Sequence, residues 1–154
     1  MTDRPPAEEL AWLRSREGYE PEVYLDSRDK PTAGVGHLLQ GEEAAQYPVG
    51  SKVDELRSDL WLADDSQWAW EAAKEQAKEI DRPELASALL HINFQLGPNW
   101  RKIHKNTWKK LKAGDLEGVA KEIENSKWHE QTPKRTRDFQ ASLRGQPRQE
   151  EYDS

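Results

Sequence analysis

Glu17, Asp26 and Thr32, in the stretch REGYEPEVYLDSRDKPTAGVGHL at 16–38, are the residues whose types and spacing could do chemistry together. Glu17 closes an amphipathic segment containing Ala11, Trp12 and Leu13, whereas Asp26 follows the alternating run Val23, Tyr24, Leu25 and falls at the end of a short strand. Two carboxylates in unlike surroundings are what glycoside hydrolysis requires. One is kept neutral to protonate a leaving oxygen, and the other is ionised to activate water or attack carbon. Trp12 and Tyr19 beside Glu17 imply a desolvated acid, while Ser27, Arg28 and Asp29 beside Asp26 imply a wet turn. Thr32 opens TAGVGH, where Gly34 and Gly36 alternate with Ala33 and Val35, as in a strand needing close backbone approach or unusual torsions. SRDKP at 27–31 supplies the hairpin turn. With 29 acidic residues in the chain, such a pair taken alone is more often solvated surface.

The spacing Glu17, Asp26, Thr32, followed by AGVGH, resembles the catalytic signature of the phage-type lysozymes, the endolysins of glycoside hydrolase family 24. FQLG at 94–97 and SKWHEQTPKR at 126–135 are similar to further segments of that family in the same order, so the resemblance covers residues 10 to 145. It implies a lysozyme-like α+β fold, mostly helical, within a single domain at 1–154. A small N-terminal β-hairpin lobe at about 12–60 and a helical C-terminal lobe at about 70–145, which takes the first helix, would be joined by a long helix at about 52–80.

The length of 154 residues suits one domain with enough core to fold unaided. Hydrophobic and charged residues each make up 34% and the mean hydropathy is −1.08, yet seven Trp supply apolar surface that a disordered chain lacks. No Cys is present, which excludes disulfides and thiolate chemistry. The N-terminus MTDRPPAEEL is charged and contains prolines, and no window approaches eighteen apolar residues, so neither a secretory signal nor a membrane span is expected. His37, His91, His104 and His129 lack the close pairing of a zinc site, and no cofactor or metal is expected. The net charge of −6 argues against general nucleic-acid affinity. The charge is uneven: Pro98 to Arg137 holds 11 Lys/Arg against 5 Asp/Glu, leaving −12 for the rest. Such a basic stretch could be merely solvated, or could attract an anionic polymer such as peptidoglycan.

A first helix is expected from near Pro6 to about Arg16, capped by Asp3 or Thr2, followed by a hairpin or small sheet at 22–38. Gly41–Ser51 reads as a loop with one short helical turn, and Ser51 with Asp54 as a cap for the helix at 52–80. Val53, Leu56, Leu60, Ala63, Gln67 and Trp70 mark that helix's expected apolar stripe. Residues 84–96 are the most apolar segment and the expected central helix, ended by Gly97-Pro98. A short helix at 99–112, another capped by Asp115 through Ile123, a turn with Trp128 and a last helix from Thr132-Pro133 to about Leu143 follow, with a frayed tail.

The resemblance implies a muramidase, a glycosidase cutting the β-1,4 bond between N-acetylmuramic acid and N-acetylglucosamine. Glu17 would be general acid, and Asp26 with Thr32 would hold the water for inversion. It implies Leu38, Phe94, Gln95, Thr107, Glu122 and Arg135 as substrate contacts, although Leu38 and Phe94 read equally well as core, and Glu122 stands where the best-known member has Asn. It implies bacterial peptidoglycan as partner, a monomer, and residence in the host cytoplasm until a separate holin opens the way to the wall, or delivery with a virion. Rival readings are an inactive wall-binding module, a lytic transglycosylase, and a nucleic-acid binder using Trp100, Trp108 and Trp128.

His37 and Asp64 fall at positions that form an ion pair in the best-known member. Arg16 and Asp138 stand where that member has acid and base, which predicts a reversed salt bridge between the first and last helices. A double-mutant cycle of Arg16→Ala and Asp138→Ala is expected to show coupling of about 1 kcal/mol in urea unfolding, and additivity of the two would remove the bridge.

Overall fold

In a computed structural model that describes residues 3–146, the chain is α+β and mostly helical. Its contacts divide it into Met1–Gln67 and Trp68–Ser154.

The first unit opens with α1, Ala7–Glu17, ended by Gly18 at φ 84°. Its N-cap is Pro6 with no side-chain cap bond. Asp3, expected to cap it, instead offers its backbone carbonyl to Gln67 Nε2 at 2.7 Å, and Thr2 lies outside the described residues. Three antiparallel strands follow in the order β1 (Glu20–Leu25), β2 (Pro31–Gly34) and β3 (His37–Leu38). Glu20 lies opposite Gly34 and Tyr24 opposite Thr32, so four steps along β1 match two along β2. The extra residues have their own partners. Val23 N–H donates to the Ser51 carbonyl, Gly50 N–H to Val23 and Val53 N–H to Pro21. This bulge shortens the advance of β1 from roughly 13 Å to roughly 7 Å over those steps, at an ordinary rise of ~3.3 Å per residue. Val23, Ala33, Leu39, Val53 and Trp61 form the unit's core.

After α2 (Glu42–Gln46), helix α3 runs Glu55–Glu79. Its cap is Asp54, whose Oδ1 accepts Arg57 N–H at 2.7 Å, rather than Ser51, whose backbone is engaged in the bulge pairing. The buried stripe also differs from the one expected. Leu56 and Leu60 are exposed at 69% and 47%, while Ser58, Trp61, Leu62, Ser66, Ala69, Trp70 and Ala73 are buried. Trp61 fixes this phase by stacking on the His37 ring at 4.3 Å between centroids, which turns Leu56 and Leu60 outward.

In the second unit a 3-10 turn, Pro83–Leu85, leads into α4, Ala86–Leu96, whose Ala88, Leu89, Leu90 and Ile92 are almost wholly buried, as the apolar run predicts. Asn93 on α4 is buried too, and its amide donates to Gln76 Oε1 at 2.8 Å while Gln76 Nε2 donates back at 3.2 Å. Both polar groups are thereby satisfied in an apolar core. The helix expected over 99–112 is two, α5 (Trp100–Ile103) and α6 (Lys105–Lys112), broken at His104 with ψ 60°. Asp115 caps α7 (Leu116–Glu124) and Ser126 caps α8 (Lys127–Gln131). Helix α9, Pro133–Leu143, is closed by Gln146 N–H on the Ala141 carbonyl. Gly145 and Gln146 are thus ordered, and the rest of the tail expected to fray lies outside the described residues. Trp100, Trp128 and Phe139 join α4 in the core, so the Trp side chains of the nucleic-acid reading are mostly packing groups.

Gly34 makes the closest backbone approach in the sheet. It sits at φ 63°, and a Cβ there would lie 2.5 Å from Ser58 Oγ on α3. Gly34→Ala is expected to lower unfolding free energy by about 1–3 kcal/mol in a urea titration, combining left-handed backbone strain with overpacking against the buried Ser58. An unchanged midpoint would remove that constraint.

Candidate active site

Asp26 and Thr32 are held by one backbone residue. The loop Ser27–Asp29 is closed by Asp26 N–H on the Lys30 carbonyl and Asp29 N–H on the Asp26 carbonyl, with Asp29 at φ 58°. This is a three-residue hairpin loop whose last residue is left-handed, a conformation Asp tolerates better than most side chains. Asp26 Oδ1 accepts N–H from Arg28 at 2.8 Å and from Lys30 at 2.9 Å. The Thr32 hydroxyl donates to the Lys30 carbonyl at 3.0 Å. The turn lies within the expected 27–31, with Pro31 already in β2, and the Lys30 backbone is bonded to both Asp26 and Thr32.

The Lys30 N–H bond is the largest cause holding the Asp26 carboxyl below its ordinary range; desolvation, next in size, opposes it, and Arg28 N–H with the charges of Arg28 and Lys30 keeps the net shift downward. Asp26 is therefore an anion through the whole neutral range. Both of these bonds fall on Oδ1, which leaves Oδ2 able to accept. Thr32 is 95% buried by its neighbours, and its proton is committed to Lys30, so its oxygen remains as an acceptor.

The sheet register surrounds Thr32. Tyr24 is its partner on β1 and Leu38 its partner on β3, both with exposed side chains. Opposed residues point to the same face of a sheet, as do Tyr24 and Asp26 two positions on. Leu38 thus stands beside Thr32. Tyr24 was not picked out from the sequence, although the alternation Tyr24, Asp26 placed it on that face.

Glu17 is the last residue of α1 and is exposed. The desolvation expected from Trp12 and Tyr19 does not enclose it. The Trp12 ring lies under the Arg16 guanidinium at 5.0 Å, and the Tyr19 ring lies under Arg14, its hydroxyl donating to the Val53 carbonyl.

Gln95, Thr107 and Glu122 come together in the second unit, lining a cavity of about 840 Å³ with Asn125, Trp128 and Gln131. Trp128 Nε1 donates to Gln95 Oε1 at 3.5 Å, and Glu122 accepts from Lys110 at 3.0 Å. Phe94 and Arg135 are not among the cavity's lining residues. Phe94 packs partly buried against the core of this unit, and Arg135 is 6% exposed.

The expected partner of His37 is displaced by one residue. Its Nδ1 lies 2.7 Å from Asp65 and its Nε2 2.9 Å from Glu43, while Asp64 pairs with Arg4. Asp65 is one helical turn beyond Trp61, the residue stacked on His37, whereas Asp64 is turned about 100° away. That i, i+4 relation was the available signal.

Residues 14–144 match the phage lysozyme family model. The chain belongs to the phage lysozyme family. It is 30% identical to peptidoglycan hydrolase gp36 of Pseudomonas phage phiKMV over 129 residues, which cover 82% of this chain and 14% of that protein. The chain thus spans a small part of that phage protein's length. It is 28% identical over 146 residues to probable T4-type lysozyme 1 of Dictyostelium discoideum, covering 80% of this chain and 86% of the relative.

Burial pushes the His37 pKa down, but hydrogen bonds and charges from Asp65 and Glu43 outweigh it, and the net shift is upward. A raised pKa in the folded state gives stability that is fully present below the unfolded value of about 6.5 and is lost as pH rises through the folded value. Thermal melts above the carboxylate range are expected to show a falling Tm across that window. Asp65→Asn should flatten the fall and cost about 1 kcal/mol at pH 6. Equal slopes in the two proteins would exclude His37 as the titrating group.

Proposed function

We propose that the chain is a muramidase, hydrolysing the β-1,4 bond between N-acetylmuramic acid and N-acetylglucosamine with inversion. The observation that carries this reading is the shared hold of Lys30 on Asp26 and Thr32. A water donating one hydrogen to Asp26 Oδ2 and the other to Thr32 Oγ1 keeps a lone pair for the anomeric carbon. Asp26, as the anion, takes the proton released when that water attacks. A nucleophilic carboxylate would gain nothing from the neighbouring hydroxyl.

Glu17 is the general acid in this scheme and gives its proton to the leaving oxygen. The carboxyl-terminal end of a helix carries partial negative charge, which disfavours an added anion and suits a proton donor. Because Glu17 is exposed, the glycan itself supplies the desolvation by covering it. Inversion needs carboxyl groups roughly 6.5–9.5 Å apart, and the contracted advance of β1 supports that spacing by shortening the path from the end of α1 to Asp26.

Leu38, with Tyr24, would form the apolar wall beside the water. Gln95, Thr107 and Glu122 would receive another part of the wall polymer in the 840 Å³ cavity. Phe94 and Arg135 would support those contacts from within the second unit. The similarity to a phage peptidoglycan hydrolase supports this substrate. Host lysis follows as the occasion, with a separate holin or a virion providing the route. Among the described residues no helix is long and apolar enough to cross a membrane.

Purified cell walls should be cleared by the unmodified protein and not by Glu17→Gln, with a loss of about 10³-fold or more in rate. Nuclear magnetic resonance of fresh product ends should show the α-anomer first. The β-anomer would reassign Asp26 as nucleophile, anhydro sugar ends would make the protein a transglycosylase, and intact walls would leave a binding module.

A further inference from the structure

Helix α6 carries a row of lysines with no counter-charge. Lys105, Lys109 and Lys112 recur at i, i+4 and i+7, which places them on one helical face over roughly 10 Å, and all three are exposed. Lys102, on α5, is exposed as well. Among the described residues none of the four forms an ion pair, whereas their neighbour Lys110 is neutralised by Glu122 and Arg101 by Glu79. A protein of net charge −6 has acids to spare for such pairing. The row starts at the rim of the 840 Å³ cavity, which Ile103 and Lys105 both line.

We infer that this row is a docking rail for a polycarboxylate chain, the free carboxylates of peptidoglycan stem peptides, leading into the cavity. The inference rests on the hydrolase reading and adds to it the chemistry that brings the polymer in. A membrane fits the same surface less well. The apolar positions of α6, Thr107 and Leu111, are buried in the unit, which leaves Ile103 as the one large apolar side chain exposed beside the row among the described residues. An interfacial helix needs a whole apolar face to insert. Nucleic acid would need stacking surfaces, and Trp100 is buried completely. The row acts through solvent within a screening length of about 10 Å at 0.1 M salt, so its effect is confined to low and moderate salt.

The test compares the chain with the triple variant Lys102→Gln, Lys109→Gln, Lys112→Gln, which leaves every cavity-lining residue unchanged. Sedimentation with purified walls, each protein also carrying Glu17→Gln to prevent digestion, is expected to show about tenfold weaker binding for the triple variant at low salt. The difference should vanish at high salt. Walls whose carboxylates have been converted to neutral amides should bind the parent as weakly as the variant. Release of reducing ends from glycan strands stripped of peptide should be the same for both active proteins. Equal binding to untreated walls, or a loss confined to anionic phosphatidylglycerol vesicles, overturns the rail. Absence of reducing-end release by the parent, with row-dependent sedimentation intact, overturns the hydrolase reading instead.

Discussion

The peptide group of Lys30 is the element on which the candidate site depends. Its carbonyl accepts from both Asp26 N–H and the Thr32 hydroxyl, and its N–H donates to the Asp26 carboxylate. Backbone is a better anchor here than a side chain, because its position is fixed by strand pairing and carries no rotamer freedom. The consequence is electrostatic as well as geometric. An anion that receives two amide dipoles stays ionised without a cationic partner that would compete with water for its other oxygen. The same bonds are what any Asx-turn makes, so the chemistry proposed for Asp26 would use bonds that also hold the hairpin.

That hairpin has to be placed, and two features do so. The bulge in β1 sends Pro21–Val23 to pair with Gly50–Val53, which ties the strand to the segment entering α3. Gly34, with positive φ and no Cβ, lets β2 approach Ser58 on that helix. Trp61 then stacks on His37 one turn further along, and Asp65 bonds the same ring another turn on. Ser58, Trp61, Leu62 and Asp65 form one continuous contact face, and α3 turns Leu56 and Leu60 to solvent as a result. Exposure of two leucines is tolerable because isolated surface apolar groups are normal in folded proteins.

The sequence was most legible where the information is local. The turn within SRDKP, the C-terminal end of the long helix, the apolar run at 84–96 and the cap Asp115 appear as read, since each depends on residues within a few positions of one another. It was least legible where a distant partner decides. Six positions at near-helical spacing in 53–70, five of them apolar, suggested one face for α3, but the aromatic ring of His37 selected another. Asp64 and Asp65 are indistinguishable without that phase. The break at His104 also leaves no mark in the pattern, because Trp100, Thr107 and Leu111 keep helical spacing across it. For the site, spacing placed Asp26 and Thr32 together but said nothing of Lys30, whose contribution is wholly backbone and therefore independent of its side chain. Glu17 shows the opposite limit: apolar neighbours in sequence did not become a covering in space.

In the proposed mechanism the two carboxyls reach unlike states by unlike means. Asp26 is set in advance by the fold, through bonds that exist without substrate. Glu17 is exposed at the end of α1, so in the proposed mechanism its desolvation comes from the glycan laid over it. In the proposed mechanism, a preset base and an acid completed by binding divide the work in a physically sensible way. A permanently desolvated acid would destabilise nothing while neutral, but it would also have to be reprotonated through a closed site after every turnover. An open one exchanges with water as soon as product leaves. Activation only under a bound glycan further confines acid strength to the moment of bond breaking, since the electrostatic environment that favours proton transfer forms when water is excluded.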